Sequence, residues 1–183
     1  KWNGLDGELT LRRAMVMWNE AGSDDNFYDS AGVGESVLTA WAGMGRRNEC
    51  PKGMRLTAWN GGMSVVRPDE RIDPRNQRAP KNKDHYANLK AQAWFSLRAR
   101  FENAYKKKMG REYDATHIIS LPSDLPYLEQ LQDELCQPHK KESGTGKVLV
   151  DKQPDGAASP NLADAVVMAF FPLSAKASIL DVL

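Results

Sequence analysis

Cysteine is scarce in this chain, which has only Cys50 and Cys136 among its 183 residues. Two isolated thiols are too few for a disulfide framework or a thiolate metal site, and their scarcity favours an intracellular protein over a secreted one. Long apolar runs are also missing, since none approaches the roughly 18 residues that span a bilayer. The first residues lack the character of a signal peptide. We therefore expect a protein that is neither secreted nor embedded in a membrane.

A surplus of charge is missing as well, because 25 lysine and arginine residues stand against 24 acidic ones, for a formal net charge of +1. Such a balance gives no global attraction to nucleic acid, so any basic surface has to be local. The histidines His85, His117 and His139 have no spacing that suggests a metal site or a catalytic triad. No Walker A pattern occurs, so this chain is not itself an ATP-driven motor.

What the chain does contain is an alternation of helical and extended patterns with 41% apolar residues, enough for one domain with a sizeable core. We treat residues 1–183 as a single domain whose last stretch, 173–183, is a tail. The order of the patterns predicts an α/β architecture. Helices are predicted at about 6–21, 36–43, 84–109, 125–135 and 159–171, strands at 27–29, 54–59 and 117–121, and a hairpin at 137–152.

Two of these patterns carry further expectations. The strand at 54–59 is reached by a crossover from the strand at 27–29, which predicts a parallel pair. The helix at 84–109 carries one apolar stripe that is predicted to be core. The members of that stripe are Leu89, Ala93, Trp94, Leu97, Phe101, Ala104 and Tyr105.

The helix predicted at 159–171 is almost entirely apolar, with Ser159 as its predicted cap and Pro160 in its first turn. Its single ionisable residue is Asp164, whose charge would be costly among apolar side chains unless a cation or strong donors met it. Two interpretations follow. Asp164 is either a structural residue compensated by the amides of its own helix start, or a ligand of Mg²⁺ or Mn²⁺.

The metal interpretation requires a second carboxylate, which Asp29 offers. This residue ends a predicted strand and precedes the turn Gly32-Val33-Gly34, and open α/β sheets place their sites at such strand ends. Asp151 and Glu35 are weaker candidates, because one follows an apolar strand and the other lies beyond the glycine turn. Asp29 and Asp164 are therefore the predicted metal-binding residues.

Local positive charge is found in two places. The stretch from Gly61 to Lys83 has no sustained period and a local excess of cations, which suits phosphate binding; the alternative is a solvated loop with no partner. The predicted hairpin is rich in lysine, although a surface lysine at its end is the simpler interpretation of Lys152. The cations predicted to contact phosphate are Arg75, Arg78, Lys81, Lys83, Lys147 and Lys152.

Three segments of the sequence together resemble a known family. They are Tyr28 to Gly34, Asn88 to Phe101, and Val150 to Lys152 followed by Ser159 to Ala165. Together they resemble the C-terminal nuclease domain of the large terminase subunit of tailed bacteriophages. The resemblance implies an RNase H-like fold, a central mixed sheet flanked by helices, with an acidic cluster that binds two Mg²⁺ or Mn²⁺ ions. Asp29 and Asp164 match two acids of that cluster.

The resemblance also implies a function and partners. Large terminases cut concatemeric double-stranded DNA in the host cytoplasm during virus assembly, and work with a portal protein, a small terminase subunit and a separate N-terminal ATPase domain. Oligomers are implied only in the assembled motor. The family's first acid lies on an opening strand, and no such strand precedes Asp29, although Lys1 and Trp2 match the end of an early strand. We therefore expect this chain to lack the family's first strands and one metal ligand.

Three functions remain open at this point. The leading one is a metal-dependent endonuclease domain that cuts DNA by two-metal-ion hydrolysis, with contacts mainly to backbone phosphates because no base-reading motif occurs. The second is a non-catalytic module that holds DNA and docks on the portal. The third is another member of the RNase H-like superfamily, such as a resolvase.

Overall fold

The computed structural model describes residues 6–22, 25–31, 34–171 and 173, and the chain divides into two compact units, one running to Asn60 and the other beginning at Gly61. Each unit is described by itself, and the single-domain assignment stays a prediction. Lys1 and Trp2, which were matched to an early strand, lie outside the described residues, as does the tail from position 174 onward.

The first unit is built from two helices and a pair of parallel strands. Helix α1, Gly7–Ala21, begins where the carboxylate of Asp6 accepts the Leu9 amide at 2.8 Å, and it ends at Gly22 in the left-handed conformation. The other elements are strand β1 (Asp25–Asp29), helix α2 (Gly34–Arg46) and strand β2 (Arg55–Trp59). The two strands pair in parallel with Asp29 opposite Trp59, which confirms the predicted crossover.

The second unit is organised around a long helix and a hairpin. A short helix, α3 (Asn82–His85), precedes helix α4 (Leu89–Lys108), which begins at Asn88 because that side chain accepts the Ala91 amide at 2.9 Å. The predicted start at residue 84 was therefore too early. The remaining elements are helix α5 (Leu128–Cys136), strands β3 (His139–Glu142) and β4 (Val148–Asp151), and helix α6 (Asn161–Phe170).

The apolar stripe of α4 is core over only half its length. Leu89, Ala93, Trp94 and Leu97 are buried, whereas Phe101 is 36% exposed and Tyr105 is 57% exposed. The expectation that the whole stripe is core was wrong for its C-terminal part. Periodicity shows which face of a helix is apolar, but how far the neighbouring elements extend decides how much of that face is covered.

Residues His117 to Leu121 do not form the predicted strand. Side chains of α4 bind the backbone of this segment instead: Asn103 donates to the carbonyl of His117 at 2.9 Å, and Arg100 donates to the carbonyl of Ile118 at 3.1 Å. With two consecutive carbonyl groups bound in this way, the segment lies along the helix in an irregular conformation. Buried Ile119 still packs into the core.

The predicted hairpin is confirmed as an antiparallel pair in which His139 lies opposite Asp151 and Glu142 opposite Val148. Val148 and Val150 on β4 are buried, while all four residues of β3 are exposed. The described residues therefore form an α/β structure with one parallel and one antiparallel strand pair. The RNase H-like assignment and its central mixed sheet stay predictions.

Candidate active site

Asp164 lies in the first turn of α6, and a side chain from the hairpin neutralises its charge. The ammonium group of Lys152, one residue beyond β4, donates to Asp164 Oδ2, and the two side chains are only 20% and 19% exposed. Lys152 is therefore not the surface lysine that the simpler interpretation assigned. This ion pair, called here the Lys152–Asp164 pair, provides the compensation that burial of the aspartate demands.

The start of α6 is capped from another helix and not by Ser159. The residue at the cap position is Pro160, and the Glu134 carboxylate of α5 accepts the amides of Leu162 at 2.6 Å and Ala163 at 3.1 Å. The predicted serine cap was wrong. Glu134 is separated from these amides by 28 and 29 positions, so no local pattern identifies it. The sequence of α5 gives no signal that separates Glu134 from Glu129 and Asp133 on the same helix.

Asp29 ends β1 and is exposed. Its Oδ1 accepts the Ala31 amide at 3.0 Å, which shapes the turn after the strand. The helix that follows begins very close to this turn, because a Cβ added at Gly34 would lie 2.1 Å from the carbonyl oxygen of Asp29. Position 34 therefore requires glycine for space. Gly32 and the side chain of Glu35 lie outside the described residues.

Asp151, the weaker candidate on β4, is already engaged in holding the hairpin. Its Oδ2 lies 2.6 Å from Lys141 Nζ on β3, and its Oδ1 accepts the Gln153 amide at 3.0 Å. The Lys141 hydrogen bond, followed by that amide, holds the pKa of Asp151 below its usual value. These contacts assign the carboxylate a structural role at the strand end.

The donor chemistry of the two predicted ligands fits a hard divalent cation, because both are carboxylates. Within the part of the chain that the structure describes, no three side chains of His, Cys, Asp or Glu gather as a metal site. Asp29 belongs to the first unit and Asp164 to the second. Their joint role as ligands stays a prediction.

The histidines occupy part-buried or exposed positions in the second unit. His117 makes contacts through Nε2 with the carbonyl oxygen of Ser96 at 3.1 Å, and burial, followed by the charge of Arg100, lowers its pKa. Burial likewise lowers the pKa of His85. His139 lies exposed on β3.

The irregular stretch 61–83 is held in shape by two buried amide side chains. Gln92 of α4 accepts the Val66 amide at 2.8 Å and donates to the Val66 carbonyl at 3.0 Å, and Asn82 donates to the Arg67 carbonyl at 2.9 Å. The two amide side chains are 7% and 8% exposed. The stretch, called here the cationic loop, is thus a defined surface although it lacks sustained secondary structure.

The predicted DNA-binding cations of this loop differ in how far they are neutralised. Lys81 and Lys83 lie 2.9 and 2.8 Å from the same Asp69 oxygen, and their hydrogen bonds, that of Lys83 first, lower the pKa of Asp69 to about 2. Arg75 lies 3.8 Å from Asp73, and its side chain is 80% exposed. Arg78 is exposed and Lys147 on the hairpin turn is half-buried. None of these placements tests DNA binding, which stays a prediction.

An apolar groove of about 390 Å³ lies in the second unit between α4, α5 and the hairpin. Trp94, Leu135 and Val150 line it, and neither predicted aspartate does. It is therefore distinct from the Lys152–Asp164 pair.

The chain is similar to several solved structures. No protein-family model and no curated protein matches the chain. Among the helices described, none is long and apolar enough to cross a membrane. The chain matches the solved nuclease domain of the large terminase subunit gp2 of bacterial virus Sf6, with 29% sequence identity and a TM-score of 0.70 over 88% of this chain and 71% of that one.

Two solved variants of the same domain carry a lysine-to-alanine substitution. One, with manganese and beta-thujaplicinol, is 27% identical at a TM-score of 0.70 over 88% of this chain and 71% of that chain. The other, with calcium, is 29% identical at 0.68 over 86% and 69%. These neighbours confirm what the sequence indicated, that the chain resembles the nuclease domain of the large terminase subunit of tailed bacteriophages.

Proposed function

We propose that this chain is the metal-dependent endonuclease domain of a viral DNA-packaging terminase and cuts concatemeric double-stranded DNA by two-metal-ion phosphodiester hydrolysis. The observation that supports it most is the match to a terminase nuclease domain over 88% of the chain at a TM-score of 0.70. Related structures of that domain hold manganese or calcium, which supports divalent-metal binding in general. Magnesium or manganese, as two ions, is our proposal for this chain.

Asp29 and Asp164 are the proposed ligands of these ions. Two divalent cations roughly 4 Å apart activate a water molecule and stabilise charge on the scissile phosphate and the leaving oxygen. A bound cation would take over the neutralisation of Asp164 that Lys152 provides in this structure. The Lys152 ammonium group would then be available to donate to a phosphate oxygen.

DNA binding is assigned to the cationic loop and the hairpin. Arg75, Arg78, Lys81 and Lys83 on the loop, with Lys147 on the hairpin turn, are proposed to contact phosphates without reading base edges. We expect low sequence specificity and strong salt dependence as a consequence. The proposed partners are double-stranded DNA, the portal protein and the small terminase subunit, in the host cytoplasm during virus assembly.

The direct test is to incubate the purified chain with supercoiled plasmid and Mn²⁺, with a chelator-treated control. Nicked and linear products that require the metal support the enzyme. Plasmid binding without nicking would contradict the enzyme and favour a non-catalytic module that holds DNA. A strong preference for branched over linear DNA would favour a resolvase.

The role of Asp29 is tested in the same assay with Asp29→Asn. Asparagine keeps an oxygen that accepts the Ala31 amide, so the turn after β1 is preserved while the charge is removed. We expect metal-dependent nicking to fall by at least about a hundredfold, because loss even of an outer-shell partner costs roughly 10–100-fold. Full nicking by the variant would remove Asp29 from the ligand set.

A further inference from the structure

We propose that Glu134 and Gln137 on α5 are positioning residues that hold the Lys152–Asp164 pair in place. This inference rests on the proposed function, since it concerns the residues to which that function assigns metal and phosphate contacts. No sequence motif identifies either residue. Both bind backbone groups of the segment that carries the pair, and they act through that backbone.

Glu134 fixes the helix that carries Asp164. Its Oε2 accepts the amides of Leu162 and Ala163, the two residues directly before Asp164, and its Oε1 accepts the side-chain amide of Gln130 at 2.7 Å. The residue is only 8% exposed. A carboxylate buried to this extent requires strong donors, and the first-turn amides of α6, at the positive end of its dipole, provide them.

Gln137 fixes the end of this segment that carries Lys152. It lies at the C-terminal cap of α5, and its side-chain Nε2 donates to the carbonyl of Lys152 at 2.5 Å and to the carbonyl of Ala158 at 2.8 Å. One side chain therefore holds together the two ends of the turn that runs from Lys152 to Ala158. Since Gln137 is one helical turn from Glu134, one side of α5 contacts both ends of the segment between Lys152 and Asp164.

The segment needs such support because its own backbone is irregular. It contains a single 3-10 turn, Pro154–Gly156, with Asp155 at φ 55 in the left-handed region. An unsupported connection of this kind would allow the lysine and the aspartate to shift independently. A misplacement of about 1 Å in an active site costs on the order of a hundredfold in rate, so anchors outside the site have measurable consequences within it.

The experiment compares Glu134→Ala, Glu134→Gln and Gln137→Ala with Glu129→Ala, an exposed residue of the same helix. Three quantities are measured at a temperature where every variant is folded: the acetylation rate of Lys152 by mass spectrometry, Mn²⁺ affinity by calorimetry, and plasmid nicking. The acetylation rate requires neither metal nor activity, and it reports how well Lys152 is held in its ion pair.

We expect Lys152 in Glu134→Ala and Gln137→Ala to be acetylated several times faster than in the parent chain, and Mn²⁺ binding to weaken by about 10- to 100-fold. Glu134→Gln should keep the Lys152 acetylation rate and the Mn²⁺ affinity close to those of the parent, because the glutamine side-chain oxygen accepts the same two backbone amides. The Glu129→Ala control should match the parent. If Glu134→Ala fails to fold, the same measurements on Gln137→Ala alone decide the inference.

Unchanged Lys152 acetylation and unchanged Mn²⁺ affinity in Gln137→Ala and in a folded Glu134→Ala would overturn the inference and leave both residues with a purely structural role. If the parent chain itself neither binds Mn²⁺ nor nicks DNA, the proposed function fails, and the acetylation rates still decide whether α5 positions the pair. The two failures are therefore distinguishable.

Discussion

Two aspartate–lysine pairs lie close together in the sequence of the second unit and differ mainly in how far the lysine is exposed. Lys141 and Asp151 join the two strands of the hairpin at 2.6 Å, with side chains 62% and 23% exposed, whereas those of the Lys152–Asp164 pair are 20% and 19% exposed. The first pair has water as an alternative partner for its lysine. In the second, the lysine is largely buried as well, so water is less available to it as an alternative partner.

The comparison shows that residue type does not separate a structural carboxylate from a candidate ligand. Asp151 has a lysine and a backbone amide in a turn that its own hairpin creates. Asp164 is carried by a helix whose start is capped from α5, and its lysine comes from beyond β4. The two pairs differ in how many separate elements must come together to form them.

The largest expected difference is catalytic. Asp164→Asn should lower Mn²⁺-dependent plasmid nicking by at least about a hundredfold, because it removes a proposed metal ligand. Asp151→Asn is the matched control and should stay within a few-fold of the parent. The rates are measured from the loss of supercoiled plasmid, with circular dichroism to establish that both variants are folded. Equal losses in the two variants would abolish the distinction between the pairs.

The next difference concerns stability. Lys152→Ala should lower the free energy of unfolding by about 1–3 kcal/mol, since it leaves a largely buried carboxylate without its cation. Lys141→Ala should have a smaller effect, because the Lys141 side chain is exposed and Asp151 keeps the Gln153 amide as a donor. Urea unfolding at neutral pH measures both. A larger loss in Lys141→Ala than in Lys152→Ala would reverse the comparison.

A further prediction extends the contrast to the cations of the loop. Arg78→Ala should reduce the slope of log affinity against log salt for DNA by about 1, as expected for loss of one phosphate contact. Lys81→Ala should reduce it less, because Asp69 already neutralises that ammonium group. Fluorescence anisotropy with a duplex at several salt concentrations gives both slopes. Identical slopes for the parent and Arg78→Ala would remove Arg78 from the DNA surface.

The smallest expected effect is the pH dependence of the hairpin pair. The pKa of Asp151 is lowered, first by Lys141 and then by the Gln153 amide, so its ionised form stabilises the folded state above the ordinary value of 3.8. That contribution is lost as the pH falls through the lowered pKa. The difference in melting temperature between the parent and Asp151→Asn should therefore shrink from about pH 6 to about pH 3. A constant difference would contradict the pairing.

Local patterns predicted most of the elements. The parallel strands, the hairpin and the helices at both ends of the described chain follow from apolar periodicity and turn residues, which act over a few positions. The same patterns identified Asp164 as a charge in need of a partner. They also named Lys152 as a residue of interest, although as a phosphate contact and not as the partner of that aspartate.

Two of the errors have a common physical origin in contacts between residues distant in the sequence. The false strand at His117 arose because Arg100 and Asn103 bind its carbonyl groups from a helix. The false cap at Ser159 arose because Glu134, far away in the chain, accepts the first-turn amides of α6. A side chain that satisfies the backbone of another element leaves no periodic signal in either segment.

The cationic loop owes its shape to two neutral amides, Asn82 and Gln92, which lie beneath it. Some of its cations also hold the loop, since Arg71 donates to the Ala79 carbonyl and Lys81 and Lys83 bind Asp69. Arg75 and Arg78 are exposed. Substitution of Arg75 or Arg78 is therefore expected to change the charge of this surface with little effect on the conformation of the loop. The conformation and the exposed charge of this segment thus depend only partly on the same residues.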